Sequence, residues 1–221
     1  MIPKVARVLD LTQPTYHNSP SLTAPLPPQI VLIRNGSEHG WNLEQLIMTT
    51  HQGTHMDAPY HLEGYERTID QFAPEDFQGE GVIVDLRHKK PSEPISPADL
   101  EIYSSSISPN QIVLLNTGWG KKRSWTQEWA KNSPWLSPSA AWWLVERNVK
   151  GVGIDHFSIG GMVDENETTH RTLLKANIWI LEDLSLPDEL FDENSWHIIA
   201  LPLLLRDCSG APCRAIAIHY Q

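Results

Sequence analysis

Three histidines and an aspartate crowd into the segment His51-Gln52-Gly53-Thr54-His55-Met56-Asp57-Ala58-Pro59-Tyr60-His61. No other stretch of the chain is so dense in metal-ligating side chains. His51, His55 and Asp57 offer two imidazoles and a carboxylate, donors that suit a borderline divalent ion. The four-residue histidine spacing resembles a helical ligand pair. Gly53 between them, Pro59 after them and the β-branched Thr49, Thr50 and Thr54 argue against a helix. A strand that ends in a tight turn at Gly53 brings both imidazoles toward one point instead. His61 follows four residues beyond Asp57. A histidine, with an ordinary pKa of about 6.5, is suited to proton transfer near neutrality. It is either a further ligand or a general acid/base. The second is preferred, because three ligands plus water already make an open catalytic site. The chemistry expected is metal-assisted hydrolysis.

Several elements must position this segment. Val5 to Thr12 alternates and reads as a strand entering a loop. Residues 13–29 carry Pro14, Pro20, Pro25, Pro27 and Pro28, which preclude a helix and predict an extended arm. That arm is either a substrate lid or a wrapping segment. Leu43 to Thr50 reads as a strand running directly into the histidines. Gly81–Leu86 and Ile112–Leu115 are continuous apolar runs, the pattern of strands covered on both faces. Ser96-Pro97 and Ser137-Pro138 are helix starts, with serine as cap and proline at the first position. Gly151–Asp155 reads as a strand, Glu167–Ala176 as a helix, and Trp179–Leu184, His197–Leu205 and Arg214–His219 as later strands. Helices alternating with apolar strands predict a mixed α/β domain spanning 1–221.

Composition narrows the function classes. Seventeen Lys and Arg face 27 Asp and Glu, a formal charge of −10. That balance argues against nucleic acid and against an anionic membrane surface as partners. The chain lacks the run of about 18 apolar residues that a membrane helix needs. Its first residues lack the apolar region of a signal peptide, so the cytoplasm is the expected address. Cys208 and Cys213 read as two incidental thiols. Six of the nine tryptophans lie between Trp119 and Trp143. They read either as core and dimer packing or as an aromatic pocket.

The pattern His51-x-Gly53-Thr54-His55-x-Asp57-x-Pro59-x-His61 resembles the signature of the cyclase family, which includes bacterial kynurenine formamidase (arylformamidase) and isatin hydrolase. Asp10-Leu11-Thr12, Leu115-Asn116-Thr117-Gly118-Trp119 and Gly153-Ile154-Asp155 look like further landmarks, so the resemblance covers most of the chain. It implies a swivelling β/β/α-type mixed-sheet fold and a homodimer. It also implies a second ligand pair twelve residues apart, matched here by His170 and Glu182. Taken alone, His170 is an ordinary solvated helix residue. By the resemblance, His51, His55 and Asp57 hold one ion, His170 holds a second, and Asp57 and Glu182 bridge. Zinc is the expected ion and manganese the alternative, with one or two per chain. Metal-bound hydroxide then attacks a small amide, aromatic or cyclic, while His61 protonates the departing nitrogen.

The chain also departs from the family. Formamidase-like members carry a Trp-Pro-Gly-Asp-like segment in the arm, where this chain reads Ser19-Pro20-Ser21-Leu22. Leu22 is thus expected at the aromatic position, which puts formylkynurenine in doubt as the substrate. Tyr16, Trp119 and Phe157 are the other candidate substrate contacts, and His156 lines either the pocket or the core. Alternative functions are a one-metal lactam (isatin-type) or lactone hydrolase, and a non-catalytic metal-dependent protein that binds small ligands.

Overall fold

The computed structural model describes residues 3–21 and 26–221. In chain order its strands are β1 (Val5–Asp10), β2 (Gln29–Arg34), β3 (Leu43–Ile47), β4 (His55–Asp57), β5 (Gln78–Asp85), β6 (Pro94–Ile95), β7 (Ile112–Asn116), β8 (Trp135–Leu136), β9 (Gly151–Ile154), β10 (Trp179–Glu182), β11 (Trp196–Pro202) and β12 (Gly210–Tyr220). The helices are α1 (Gly36–His39), α2 (Pro97–Glu101), α3 (Gln127–Lys131), α4 (Pro138–Glu146) and α5 (Asn166–Lys175), with short 3-10 turns between. The mixed α/β organisation expected from the sequence is present.

The central sheet runs β1-β12-β11-β5-β7-β9-β10-β4, and β4 pairs with β12 as well. That extra pairing closes seven strands into a barrel and leaves β1 flanking β12. Strands β5, β7, β9 and β10 form parallel pairs. The other pairs of this sheet are antiparallel.

Period-two alternation divides the core. On β7, Val113 and Leu115 join a cluster with Ala140, Ala141 and Leu144 of α4 and Leu173 and Leu174 of α5. Ile112 and Leu114 join a second cluster with Met56, Leu181, Ile198 and the small Ala211, Ala215 and Ala217. A continuous apolar run is what a strand needs when helices cover one face and the barrel interior the other. Leu114 is fully buried, and its truncation to alanine costs about 2–5 kcal/mol.

Local signals fix the helix starts. The Ser137 hydroxyl accepts from the Ala140 amide with Pro138 at the first position of α4. Ser96 and Asp99 exchange hydrogen bonds at the head of α2. On α5, Thr169, His170, Leu173 and Leu174 form the buried face.

One expectation is corrected. The strand predicted over 43–50 stops at Ile47 and never enters the main sheet. β2 and β3 pair only with each other, and Val31, Leu32, Ile33, Leu46 and Ile47 are all exposed. Apolar β-branched sequence was enough to make a ribbon, and among the described residues these side chains stay exposed. The tryptophans divide as well: Trp119 and Trp129 pack with Phe157 in a buried cluster, whereas Trp125 and Trp142 are exposed.

Candidate metal centre

The histidine segment does not run straight into a strand from β3. It turns first. Gly53 sits at φ +67°, and a Cβ there would come within 2.8 Å of Thr15 Oγ1. Glycine relieves both the left-handed backbone and the close approach. The turn delivers the chain into β4, a three-residue strand unforeseen in the sequence. Alternation along β4 puts Met56 in the barrel core and His55 and Asp57 together on the opposite face. β4 lies between β10 and β12, with His55 opposite Glu182 and Asp57 opposite Gly210. The antiparallel register therefore brings Glu182 to His55 across more than a hundred residues. A 3-10 turn over Pro59–His61 then returns His61 to the cluster.

Six side chains converge. His51 Nδ1 lies 2.7 Å from Asp57 Oδ1, and His55 Nε2 lies 3.3 Å from the same oxygen. His55 Nε2 is also 3.4 Å from Glu182 Oε2. His170 Nε2 approaches Glu182 Oε1 at 3.2 Å and Asp57 Oδ2 at 3.8 Å. The two carboxylates thus lie between His55 and His170. The His61 ring centroid is 4.1 Å from that of His51 and 6.0 Å from that of His170. His170 is not the solvated helix residue that α5 alone suggested; it is 5% exposed.

Backbone groups hold the rings in orientation. His55 Nδ1 donates to Gly53 O at 2.8 Å and His170 Nδ1 donates to Asn166 O at 2.9 Å, which leaves both Nε2 atoms facing the carboxylates. A second hydrogen-bonding shell of this kind is the usual partner of a metal-ligating imidazole. The Ile159 amide donates to Glu182 Oε1 at 2.7 Å. His51 Nε2 meets Ser209 Oγ at 2.8 Å. A Cβ on the adjacent Gly210 would come within 2.7 Å of the His51 ring, so glycine keeps that ring in place. Neither Ser209 nor Ile159 was visible as a site residue in the sequence, because no local pattern announces a contact made across the barrel.

Electrostatics follow from this crowding. Burial favours neutral His55, but its hydrogen bond to Asp57 and the charges of Asp57 and Glu182 outweigh that and raise its pKa to about 9. His170 is raised to about 9 in the same way, burial being overcome by Glu182 and then Asp57. Burial pushes Asp57 up, and the charge and hydrogen bond of His51, with those of His55, hold it well below the usual carboxylate range. His61 is lowered, first by desolvation, then by repulsion from His51 and His170, with Asp57 opposing.

The residues fit a divalent cation. Asp57 Oδ2 is buried with no hydrogen-bond partner. A carboxylate oxygen left bare beside imidazole nitrogens costs stability unless a positive charge meets it. His55, Asp57 and Glu182 offer ligand atoms all within 4.8 Å of one another, as do His51, Asp57 and His61. Asp57 belongs to both sets. The second set contains His61, so geometry alone leaves it a ligand as well as a proton carrier.

The candidate substrate residues are more dispersed. Tyr16 is exposed on the arm, Trp119 and Phe157 are buried with Trp129 and Ala130, and Leu22 lies outside the described residues. His156 is buried too, with Ser133 Oγ at 3.0 Å from Nδ1 and Trp129 O at 3.0 Å from Nε2. The landmark turn after β7 is built on Asp155, whose carboxylate accepts from Thr117 N, Thr117 Oγ1 and Gly120 N. Both free thiols, Cys208 and Cys213, lie outside this cluster. Among the described residues no helix is long and apolar enough to cross a membrane.

The chain is similar to known proteins in sequence and in fold. Residues 9–160 match the family model described as "Putative cyclase". Kynurenine formamidase of Bacillus cereus is 28% identical over 214 residues, which span 96% of this chain and 98% of that protein. A solved structure titled as a potential metal-dependent hydrolase with cyclase activity is 27% identical at a TM-score of 0.79, covering 96% of this chain and 97% of that one. Isatin hydrolase A of Labrenzia aggregata shares the fold at a TM-score of 0.86 and 23% identity, over 97% and 94% of the two chains.

Proposed function

The chain belongs to the cyclase family, and from that premise we propose that it is a metal-dependent hydrolase cleaving the carbon–nitrogen bond of a small amide, as kynurenine formamidase does. One observation carries this reading: His51, His55, Asp57, His170 and Glu182 converge around a bare, buried carboxylate oxygen, with His61 beside them.

His51, His55 and Asp57 would hold one ion and His170 a second, with Asp57 and Glu182 shared between them. Zinc suits this nitrogen-and-carboxylate set, and manganese is the alternative. Asp57, common to two ligand sets, supports a bridging role if two ions bind. A divalent ion there supplies Lewis acidity, bringing the pKa of water from 15.7 toward roughly 7 and polarising a carbonyl. The protein's own part is proton management. His61, with its pKa lowered, is neutral near pH 7 and competent to accept a proton from the attacking water. It then delivers that proton to the departing nitrogen, since an amide anion is a very poor leaving group. Proton transfer of this kind contributes about 10²–10⁴-fold.

An apolar cavity of about 320 Å³ between arm and ribbon, lined by Leu26, Pro27, Ile47, Met48 and Gln52, adjoins the metal turn. Its lining favours an aromatic or cyclic substrate. Of the described candidate contacts, Tyr16 alone has its ring open to solvent, and Trp119 and Phe157 are buried with Trp129. The exposed β2–β3 ribbon supports a homodimer, because an isolated two-stranded ribbon is marginal in water and a partner copy covers its apolar faces. The protein acts as one catalytic domain in the cytoplasm.

The test is a substrate screen on metal-reconstituted protein with formylkynurenine, isatin and a lactone, alongside metal content per chain. Amide or lactam turnover that disappears with chelation is expected. Turnover unaffected by complete metal removal would overturn the reading. Hydrolysis of lactone alone would favour the ester-cleaving alternative.

A further inference from the structure

The Pro-rich arm begins and ends on the metal turn. At one end the Gln13 amide donates to Thr54 Oγ1 at 2.8 Å, and at the other Gln52 Nε2 donates to Leu26 O at 2.8 Å. Between these ends, two backbone hydrogen bonds tie the described residues of the arm. The Asn18 amide reaches Pro28 O, and the Ser19 amide reaches Tyr16 O. Proline removes further donors.

Arg123 fills that gap from the segment after β7. Its Nη1 donates to Pro14 O at 3.3 Å and its Nη2 to Pro20 O at 3.1 Å. The nearby Trp125 Nε1 donates to Asn18 O at 3.1 Å. The other edge of the Arg123 guanidinium grips Asp183, with Nε at 2.9 and 3.1 Å from the two oxygens and Nη2 at 2.8 Å. Both partners are desolvated, with side chains 7% and 3% exposed. Asp183 follows Glu182 directly. Its φ of +53° turns the chain, its amide donates to His156 O at 2.7 Å, and its carbonyl accepts from Thr54 Oγ1 at 2.6 Å.

We propose that Arg123 is a positioning residue for substrate recognition: braced on Asp183, it fixes the Pro14–Pro20 segment against the metal turn, so that segment is a set wall of the substrate site. The guanidinium is suited to this because it presents five donors in a rigid plane and keeps its charge. Two of its donors meet the Pro14 and Pro20 carbonyls, while the Asp183 carboxylate offsets the buried charge. The same Thr54 hydroxyl that receives the Gln13 amide donates to the Asp183 carbonyl, so arm, metal turn and the end of β10 are joined through one group. The kinetic part of this proposal rests on the hydrolase reading; the structural part does not.

The test uses metal-loaded protein with Arg123→Gln, Arg123→Lys and the double variant Arg123→Gln/Asp183→Asn. The single Gln change leaves a buried carboxylate unpaired and is destabilising. The double variant removes both charges and keeps the question answerable if the single one fails to fold. Hydrogen exchange at the Gln13, Asn18 and Ser19 amides is expected to quicken about tenfold or more in the double variant, with metal content unchanged. KM for the best amide of the screen is expected to rise about tenfold with kcat within about twofold, the split that marks lost binding to a wall of the site rather than a lost chemical group. Lysine is expected to restore part of the protection, since it reaches Asp183 but not both carbonyls. Unchanged exchange would overturn the bracing, and quickened exchange with unchanged KM would overturn the recognition role. If the parent protein hydrolyses nothing in the screen, the hydrolase reading fails, while exchange still decides whether Arg123 fixes the arm.

Discussion

Two buried carboxylates stand side by side in this chain and keep opposite company. Glu182 is 4% exposed and Asp183 is 2% exposed. Glu182, the last residue of β10, faces His55, His170 and the Ile159 amide. Asp183 turns away at φ +53° and is met by Arg123. Burial alone pushes a carboxylate toward its neutral form. Asp183 is pushed up by burial and drawn back by Arg123. A guanidinium never gives up its proton, so that pair is a fixed brace. Imidazoles exchange protons near neutrality, so the Glu182 neighbourhood can trade protons for a cation. One backbone turn therefore separates a carboxylate paired with a fixed charge from one placed in the candidate metal cluster.

The most severe way to break the contrast is to remove the carboxylate shared by both ligand sets. Asp57→Asn is expected to weaken metal binding by more than about 100-fold, beyond the cost of altering an outer-shell partner, and to abolish turnover. Metal content after dialysis checks it. Next comes His61→Ala, expected to keep metal and lose about 10²–10⁴-fold in kcat. Turnover at the parent rate would remove His61 from the mechanism.

A smaller effect concerns His156, which burial pushes down to about 4 despite acceptors at Ser158 and Trp129. Its unfolded value is about 6.5, so the unfolded chain binds the extra proton between these limits. Folding stability is therefore full above pH 6.5 and falls by about 3 kcal/mol on acidification to pH 4. Denaturant titrations of the parent and His156→Gln are expected to show that slope flattened in the variant.

His55 and His170 have the opposite sign. Raised to about 9, they stabilise the metal-free fold below pH 6.5 and lose that contribution as pH rises through 9. Metal binding at pH 7.5 is expected to release about two protons. Calorimetry in buffers of different ionisation enthalpy measures the number, and zero release would mean that both rings are already neutral.

Much of the site was legible before the fold was known. His51, His55, Asp57 and His61 were marked by type, by spacing and by Gly53 and Pro59 around them. His170 and Glu182 were legible only through family resemblance. α5 gives His170 no distinction of its own, and β10 reads as plain core until Glu182. The strand predicted over 43–50 is present but ends at Ile47 and pairs outside the main sheet, because apolar sequence reports a pleated surface without saying what covers it. β4 was missed because three residues carry no measurable period.

The sequence by itself marked His51, His55, Asp57 and His61, the tight turn at Gly53, the helix starts at Ser96 and Ser137, and the two-faced strands of the barrel. These depend on side-chain chemistry and neighbours a few residues away. Only the tertiary structure decided that β4 would sit between β10 and β12, that Glu182 would face His55, and that Asp183 would turn to Arg123. Strand register and barrel closure are set by packing summed over the whole chain, and no local window contains that sum.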